Sequence, residues 1–543
     1  MKTRLQNALG FYAAKNRWYL PALAGLFYAL GTPPINGELH PAFTLFPFLS
    51  FAVCIPLFYC AITGSVKRAL FHAYCFGIGV SLCQLYWIAF VVPEGLYHLV
   101  VLGVALLAAF EAIFFAINAM AFRLAFTRFP RWYTVIFPAW WVFIEYAKSL
   151  GEISFPWNFI GYSLTPLLPL SQLSSVAGTY GLSFIVLLGN VLLFNLLRKW
   201  LTGERGRGAT IAVTGFALFL AAVSAAGWAR LHFAKPLGPT AKLALVQPVI
   251  DQNQWGNTSL DTSFTVIEGM VATAATFHPD ATILPESALL CYLDRRPSLK
   301  RRVVEWSRVT GVPMVLGALH WDPAPPKSPR EYLVYNTAFL IDTGKTVFQP
   351  YYKMKLVPFS EILPFQGIFP LLSRVNLGQA DFRPGIKPVV YDIGKNIKGA
   401  PFICFDIIYP SFVRSRAIGA NLLIQITNDG WFGKSSGPYQ HALYAQQRCI
   451  ENGITLARSA NTGISMFVDQ YGRIISRTKL GERRVLEGSV SLARVPTFYS
   501  KVGDWPVAMS VGIILLQLAA LVVRAFRRKK VSSVSTAVTP SQA

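Results

Sequence analysis

Three short runs of this 543-residue chain hold side chains that together could carry out nucleophilic substitution at a carbonyl carbon. The first, Ile283-Leu284-Pro285-Glu286-Ser287, is an apolar segment ending on a carboxylate. The second runs from Tyr351-Tyr352-Lys353 through Met354-Lys355-Leu356-Val357-Pro358-Phe359-Ser360 to Glu361. The third, Pro401-Phe402-Ile403-Cys404-Phe405-Asp406-Ile407-Ile408, sets a thiol in an Ile- and Phe-rich run. A thiol is mostly protonated near neutral pH and needs a base or a cationic setting to act as a nucleophile. Glu286 could be that base, because a carboxylate desolvated at a strand end has a raised pKa suited to proton transfer. Lys353 would bring positive charge to the thiolate and to an oxyanion, aided by the backbone N–H of Phe405. Each residue alone is ordinary. A free cysteine is usually core, and a lysine beside tyrosines is usually a solvated head on an apolar stem.

The elements that must position these residues are of two kinds. With 53% hydrophobic and 14% charged residues and a mean hydropathy of +0.43, the chain reads as a membrane protein with a soluble part. Its net charge is +24. Much of the excess lies at the ends of apolar segments, so membrane topology explains it better than nucleic-acid binding does. Spans are expected at 18–31, 43–62, 70–92, 96–122, 133–148, 173–197, 211–228 and 507–526. Most approach the roughly 20 residues needed to cross the hydrocarbon core, the first and fifth being short. No small-residue cleavage site follows the first, which therefore reads as uncleaved. Lys67 and Arg68, Arg123, Arg128 and Arg131, Arg198, Lys199, Arg205 and Arg207, and the run Arg527 to Lys530 follow the second, fourth, sixth and last spans. The loops 32–42 and 93–95 hold no Lys or Arg, and the loop after the fifth span only Lys148. The positive-inside rule then puts both termini in the cytoplasm and the segment between the seventh and last spans outside, which in a bacterium is the periplasm.

That segment, 231–500, has ordinary polarity. Strands are expected at 241–250, 281–285, 313–318, 332–341, 388–393, 402–407, 422–427, 454–459 and 464–469, and helices at 260–277, 298–310, 410–418 and 438–452. The alternation implies one α/β domain. The organisation expected is a seven-span bundle (1–230), this domain (231–500), a last helix with a basic end (501–530) and a disordered tail (531–543). The apolar, proline-broken stretch 363–372 is either a core loop or a loop that meets the membrane surface. No Cys or His spacing suits a metal, so neither metal nor cofactor is expected. Pairing of Cys291 with Cys449 is left open.

The order Glu286, Lys353, Cys404 with these flanks resembles the carbon–nitrogen hydrolase (nitrilase) superfamily. The seven preceding spans, the one following span and the run from Lys353 to Glu361 are similar to the apolipoprotein N-acyltransferase family in particular. So are Asn428-Asp429-Gly430-Trp431-Phe432-Gly433, Gly437-Pro438 with Gln440-His441, and Arg458 with Asn461-Thr462-Gly463. The resemblance covers essentially the whole chain. It implies a four-layer αββα domain on a helical bundle in the bacterial inner membrane. Glu286 would be the general base, Lys353 the stabiliser of the tetrahedral intermediate, Cys404 the nucleophile and Glu361 a supporting carboxylate. Trp255, in Gln252-Asn253-Gln254-Trp255, would lie near the acyl chain. The implied partners are a phospholipid acyl donor, a diacylglyceryl apolipoprotein acceptor and the bilayer. The chain departs from the family pattern at Phe405 and Asp406 (usually Tyr and Glu), Leu284 (usually Trp) and Lys355 (often His); these bear on substrate preference more than on the triad. Two other readings remain, of which the first uses the same triad. A membrane-tethered amidase would act on soluble amides without phospholipid, and a transporter or scaffold would need ionisable groups mid-span, for which Glu111 and Glu145 are the candidates.

Overall fold

The computed structural model describes residues 17, 19–31, 46–91, 97–204, 206–234, 238–250, 260–326, 331–343, 348–366, 368 and 382–536. Five helices are long and apolar enough to cross a membrane: Val66–Phe90, Tyr97–Arg128, Ser174–Thr202, Arg207–Phe233 and Trp505–Arg527. With the shorter Tyr19–Leu30 (α1), Ile55–Ile62 (α2) and Tyr133–Ala147 they form the bundle. In chain order the others are α3 (Val66–Leu85), α4 (Tyr97–Arg128), α5 (Tyr133–Ala147), α6 (Ser174–Thr202) and α7 (Arg207–Phe233). The second expected span, 43–62, is not one continuous helix. Its described part is broken into Phe46–Leu49 and α2, with Pro56 in the first turn of α2, where a missing N–H costs nothing. An aromatic core holds the bundle together: Phe58 stacks on Phe122 at 4.3 Å and meets Phe137 and Phe194 edge-on.

Thirteen strands follow among the described residues, in two sheets. The first comprises β1 (Thr240–Gln247), β2 (Ala281–Ile283), β3 (Leu289–Tyr292), β4 (Met314–Pro323), β5 (Tyr332–Ile341), β6 (Gln349–Tyr352) and β13 (Arg484–Ser491), in the order β13-β1-β2-β4-β5-β6 with β3 beside β4. The second is β12-β11-β10-β9-β8-β7, from β7 (Tyr391–Gly394), β8 (Ile397–Ile403), β9 (Leu422–Thr427), β10 (Thr455–Ala460), β11 (Met466–Val468) and β12 (Ile474–Arg477). The sheets face one another across Leu243, Ile283, Val315 and Leu340 on one side and Ile403, Ile424 and Phe467 on the other. Helices α8 (Leu260–Ala275) and α9 (Pro297–Thr310) cover the first sheet through Phe264, Val303 and Trp306. Helices α10 (Pro410–Arg416) and α11 (Gly437–Asn452) cover the second. The result is the expected αββα sandwich.

The layer formed by α10 and α11 is also the layer that meets the bundle. Its apolar cluster includes Trp87, Trp157, Tyr162 and Tyr180. A buried ion pair within α11 bonds across the junction: Arg448 lies 3.2 Å from Glu451 and donates to Tyr162 and Thr179 at 3.0 and 2.9 Å, and Glu451 accepts the Thr179 N–H and hydroxyl at 2.8 and 2.6 Å. Thr179 is presented by a kink in α6 at Gly178, whose φ is +62°. Tyr499 lies 2.4 Å from where a Cβ would be, so both the backbone and the space there demand glycine. The last helix, α12 (Trp505–Thr536), returns along α5, where Trp140 donates to Gln517 at 2.6 Å. Within the bundle, Lys148 pairs with Glu111 at 2.5 Å and not with its near neighbour Glu145, which accepts from Trp141 and from the Ile160 N–H. Both carboxylates are buried. Cys291 and Cys449 are free thiols.

Candidate functional site

Strand register brings the three sequence runs together. Parallel pairing sets Ile283 of β2 opposite Val315 of β4, so the chain leaves β2 toward Glu286 alongside Gly317. A Cβ on Gly317 would lie 2.6 Å from Pro285 O and 2.7 Å from Glu286 Cα, so the turn carrying the carboxylate rests directly on this glycine. Antiparallel pairing sets Thr337 of β5 opposite Tyr352 of β6. One residue on, Lys353 donates its N–H to Asn336 O at 2.9 Å. In the second sheet Ile403 of β8 is opposite Ile426 of β9, which puts Cys404 beside Thr427.

Glu286, Lys353 and Glu361 form one buried cluster. Lys353 Nζ lies 3.3 Å from Glu286 Oε1 and 2.9 Å from Glu361 Oε1. The Asn336 amide donates to the same two oxygens at 2.7 and 3.2 Å. The outer oxygens take backbone donors, Asn428 N–H to Glu286 Oε2 at 2.8 Å and Val357 N–H to Glu361 Oε2 at 2.9 Å. Each carboxylate is thus fixed in orientation. Burial is the largest influence on Lys353 and opposes its charge. Glu286 and Glu361 outweigh it, so the ammonium sits well above its ordinary pKa and stays charged.

Cys404 is not inside a strand. The strand expected at 402–407 ends at Ile403, and Cys404 opens a 3₁₀ turn, Cys404–Ile408, with φ of +48°. A non-glycine residue at positive φ costs free energy and persists where the surroundings hold it. Asp406 supplies part of that hold. It is buried and accepts the Ile403 N–H (3.0 Å), the Lys355 N–H (2.8 Å) and the Tyr351 hydroxyl (2.9 Å), joining the cysteine turn to the lysine run. Burial raises its pKa to about 6, against those hydrogen bonds and Lys353. A methylene shorter than Glu, it is nonetheless fully bonded. Phe405, with no hydroxyl, packs on Phe155 of the bundle and edge-on to Tyr409. The Cys404 thiol is pushed well above its ordinary pKa by burial first and then by Glu286, with Lys353 opposing. It is therefore neutral at rest, and any attack must pass its proton to a base.

Behind the cysteine lies a second polar layer. The Gln425 amide donates to Cys404 O at 3.3 Å and to His441 Nε2 at 3.1 Å, while His441 Nδ1 donates to Asp429 at 2.8 Å. His441 Nε2 also lies 3.1 Å from Cys404 O, and burial followed by the charge of Arg458 lowers the His441 pKa, which favours the neutral imidazole. Burial opposes the ionised form of Asp429, yet Arg458 at 2.5 Å and His441 hold its pKa below the ordinary value. Gly463 leaves room for it: a Cβ there would be 2.4 Å from Asp429 Oδ2.

The described part of the chain thus brings together Glu286, Lys353, Glu361, Cys404, Phe405 and Asp406; Trp255 lies outside the described residues. Of the stretch 363–372, Phe365 and Ile368 are exposed, as is Phe359 just before it. The profile of the apolipoprotein N-acyltransferase N-terminal domain matches residues 24–192, and that of the carbon–nitrogen hydrolases matches residues 242–498. The apolipoprotein N-acyltransferase of Geobacter metallireducens is 32% identical over 96% of this chain and 98% of its own. The chain belongs to the apolipoprotein N-acyltransferase family. Relatives of the same name from Rhodopseudomonas palustris and Rickettsia prowazekii are 30% and 29% identical, over 92% and 82% of this chain and 94% and 88% of theirs.

Sequence reasoning missed Asn336, Gln425 and Gly317 and had no role for Asp429, His441 or Arg458. Asn336 sits in an apolar strand with no motif around it. A lone polar residue facing two carboxylates becomes visible only once β5 is paired with β6. Gly317 interrupts the run Met314-Val315-Leu316, and a glycine inside a strand does signal close backbone approach.

Proposed function

We propose that this protein carries an acyl chain on Cys404 from a membrane phospholipid to the α-amine of the lipidated N-terminal cysteine of an apolipoprotein. The observation that carries the reading is the neutral, half-buried thiol of Cys404 joined to a sealed Glu286–Lys353–Glu361 cluster, on a domain whose adjoining layer packs into a membrane bundle. Glu286 takes the thiol proton as sulfur attacks the donor's ester carbonyl. Lys353 stabilises the oxyanion. The C–O bond breaks, the lysophospholipid alkoxide leaves with the proton from Glu286, and a thioester remains. The acceptor amine then attacks the thioester carbon and gives up its proton to Glu286. The C–S bond breaks, and the thiolate recovers a proton as the amide forms. Glu361 and Asn336 hold Lys353 and Glu286 in register, and Phe405 and Asp406 fix the turn that presents the sulfur. Exclusion of water matters because hydrolysis of the thioester would waste the donor.

In this reading residues 1–230 form the bundle, 231–500 the catalytic domain, 501–530 the final helix and 531–543 the tail. Both termini lie in the cytoplasm, and the catalytic domain lies on the periplasmic side of the inner membrane, where both lipid substrates are within reach. The test is transfer by Cys404→Ser in phospholipid micelles with a diacylglyceryl peptide acceptor. Abolished transfer with retained folding is expected; full transfer would sink the reading.

A further inference from the structure

A cavity of about 250 Å³ opens where the catalytic domain meets the end of α5. One wall is bundle: Tyr146, Ser149 and Leu150, at and just past the end of α5. The other comes from the two runs that carry the candidate catalytic residues, Lys355 two positions after Lys353, and Phe412 and Ser415 on α10 after the cysteine turn. Lys355 is the one charged side chain among the residues that line it. Its ammonium has no carboxylate partner among the described residues; it lies 4.8 Å over the Tyr409 ring and 5.7 Å over that of Phe412.

The nearby charges leave it in that condition. Asp406 favours the Lys355 charge, but its oxygens are taken by the Lys355 backbone, Ile403 and Tyr351. Asp504 accepts from Ser411 and Tyr499. Arg416, 5.5 Å from the Phe412 ring centre, adds a second positive charge, and its Nε is buried without a hydrogen-bond partner. A desolvated ammonium with hydroxyls nearby and no anion of its own is a place for an anion from outside the chain.

We propose that this cavity is a subsite for a phosphate ester, the headgroup phosphodiester of a glycerophospholipid standing in the bilayer face, with Lys355 as its charge partner. The inference rests on the acyl-transfer reading and deepens it by naming what holds the donor. The geometry links subsite to chemistry. The Lys355 N–H is bonded to Asp406, two residues from Cys404, and the Tyr409 ring beside the ammonium packs 5.5 Å from Phe405. A lipid whose phosphate is anchored here would have its ester carbonyls on the glycerol just beyond, so headgroup binding would orient the bond to be broken.

The test compares two acyl donors in neutral-detergent micelles, phosphatidylglycerol and the phosphate-free diacylglycerol of the same chains, for wild type, Lys355→Met and Lys355→Arg. Losing one charge-assisted contact is expected to raise the KM for phosphatidylglycerol about tenfold relative to that for diacylglycerol in the Met variant, with the Arg variant close to wild type. An unchanged ratio in Lys355→Met, or equal losses on both donors, would overturn the subsite. Inhibition of the wild type but not of Lys355→Met by added inorganic phosphate, with an unchanged donor ratio, would assign the cavity to free phosphate and overturn the lipid assignment. Failure of the underlying reading looks different, since the wild type would then form no thioester with either donor.

Discussion

Gly317→Ala isolates the placement of Glu286 from its chemistry, because it alters no group that reacts. The added methyl carbon would lie 2.6 Å from Pro285 O, 2.6 Å from Ser287 N and 2.7 Å from Glu286 Cα, all of them backbone atoms that no rotamer change can move aside. Non-bonded contacts to carbon settle near ~3.5 Å, so the Glu286 turn must retreat by about 0.9 Å or the strand must bow by as much. Overpacking of this kind costs about 1–3 kcal/mol of stability. Its larger effect is on rate, since a displacement of ~1 Å of a catalytic group costs on the order of 10²-fold. Glu286 Oε1 and Oε2 are tied to Lys353, Asn336 and Asn428, so the shift would be felt by the whole cluster. The assay is acyl transfer per folded molecule in micelles, with thermal unfolding run alongside. Gly488→Ala serves as the control, because the three atoms nearest its methyl all belong to the Phe467 side chain, the closest at 2.5 Å, and a side chain can shift where backbone cannot. A comparable loss of stability with a near-normal rate is expected there. Wild-type turnover in Gly317→Ala would refute the claim that this glycine seats the Glu286 turn.

Three further outcomes are expected. Asn336→Ala removes a donor shared by Glu286 and Glu361 and should lower kcat by about 10- to 100-fold, the loss of roughly 1.5–3 kcal/mol per charged hydrogen bond, with little change in KM; a selective rise in KM would contradict it. The Asp406 carboxyl is raised from 3.8 to about 6 in the fold, so its contribution to stability is full below 3.8 and lost as pH rises through 6. The advantage of wild type over Asp406→Ala in chemical unfolding should therefore shrink by about 3 kcal/mol across that window, and an advantage that grows with pH would show the sign to be wrong. Arg448→Met leaves Glu451 buried without its partner and should cost about 3–5 kcal/mol, seen as a lowered Tm in detergent, with part of it recovered by adding Glu451→Gln; equal Tm values for the single and double variants would argue against the pair as the clamp between domain and bundle.

Much of this molecule was legible in its sequence because its signals are local. Apolar length marked the long helices of the bundle, and alternation marked the sandwich. Where the signals were weaker, boundaries moved. The second span is broken near Pro47 and Pro56, and the short edge strands Leu289–Tyr292, Gln349–Tyr352 and Ile474–Arg477 carry too few residues to show a period. The strand expected through Ile407 stops at Ile403 because Asp406 folds back onto the Ile403 N–H, a side-chain turn that apolar patterning does not reveal. Glu286, Lys353 and Cys404 stood out because their residue types are reactive. Asn336, Gln425 and Gly317 did not, since each acts only through a neighbour supplied by strand register. Lys148 lies three residues after Glu145 in the chain but pairs with Glu111 one helix away.

In the proposed mechanism Cys404 carries the acyl chain as a thioester. Intact-mass measurement of the purified protein after incubation with a phospholipid of defined chains, without acceptor, tests it most directly. The wild type should gain the mass of one acyl group, released by hydroxylamine and by a diacylglyceryl peptide. Cys404→Ala should gain nothing. An adduct that survives in Cys404→Ala, or transfer to the peptide by a wild type that never gains the mass, would contradict the account.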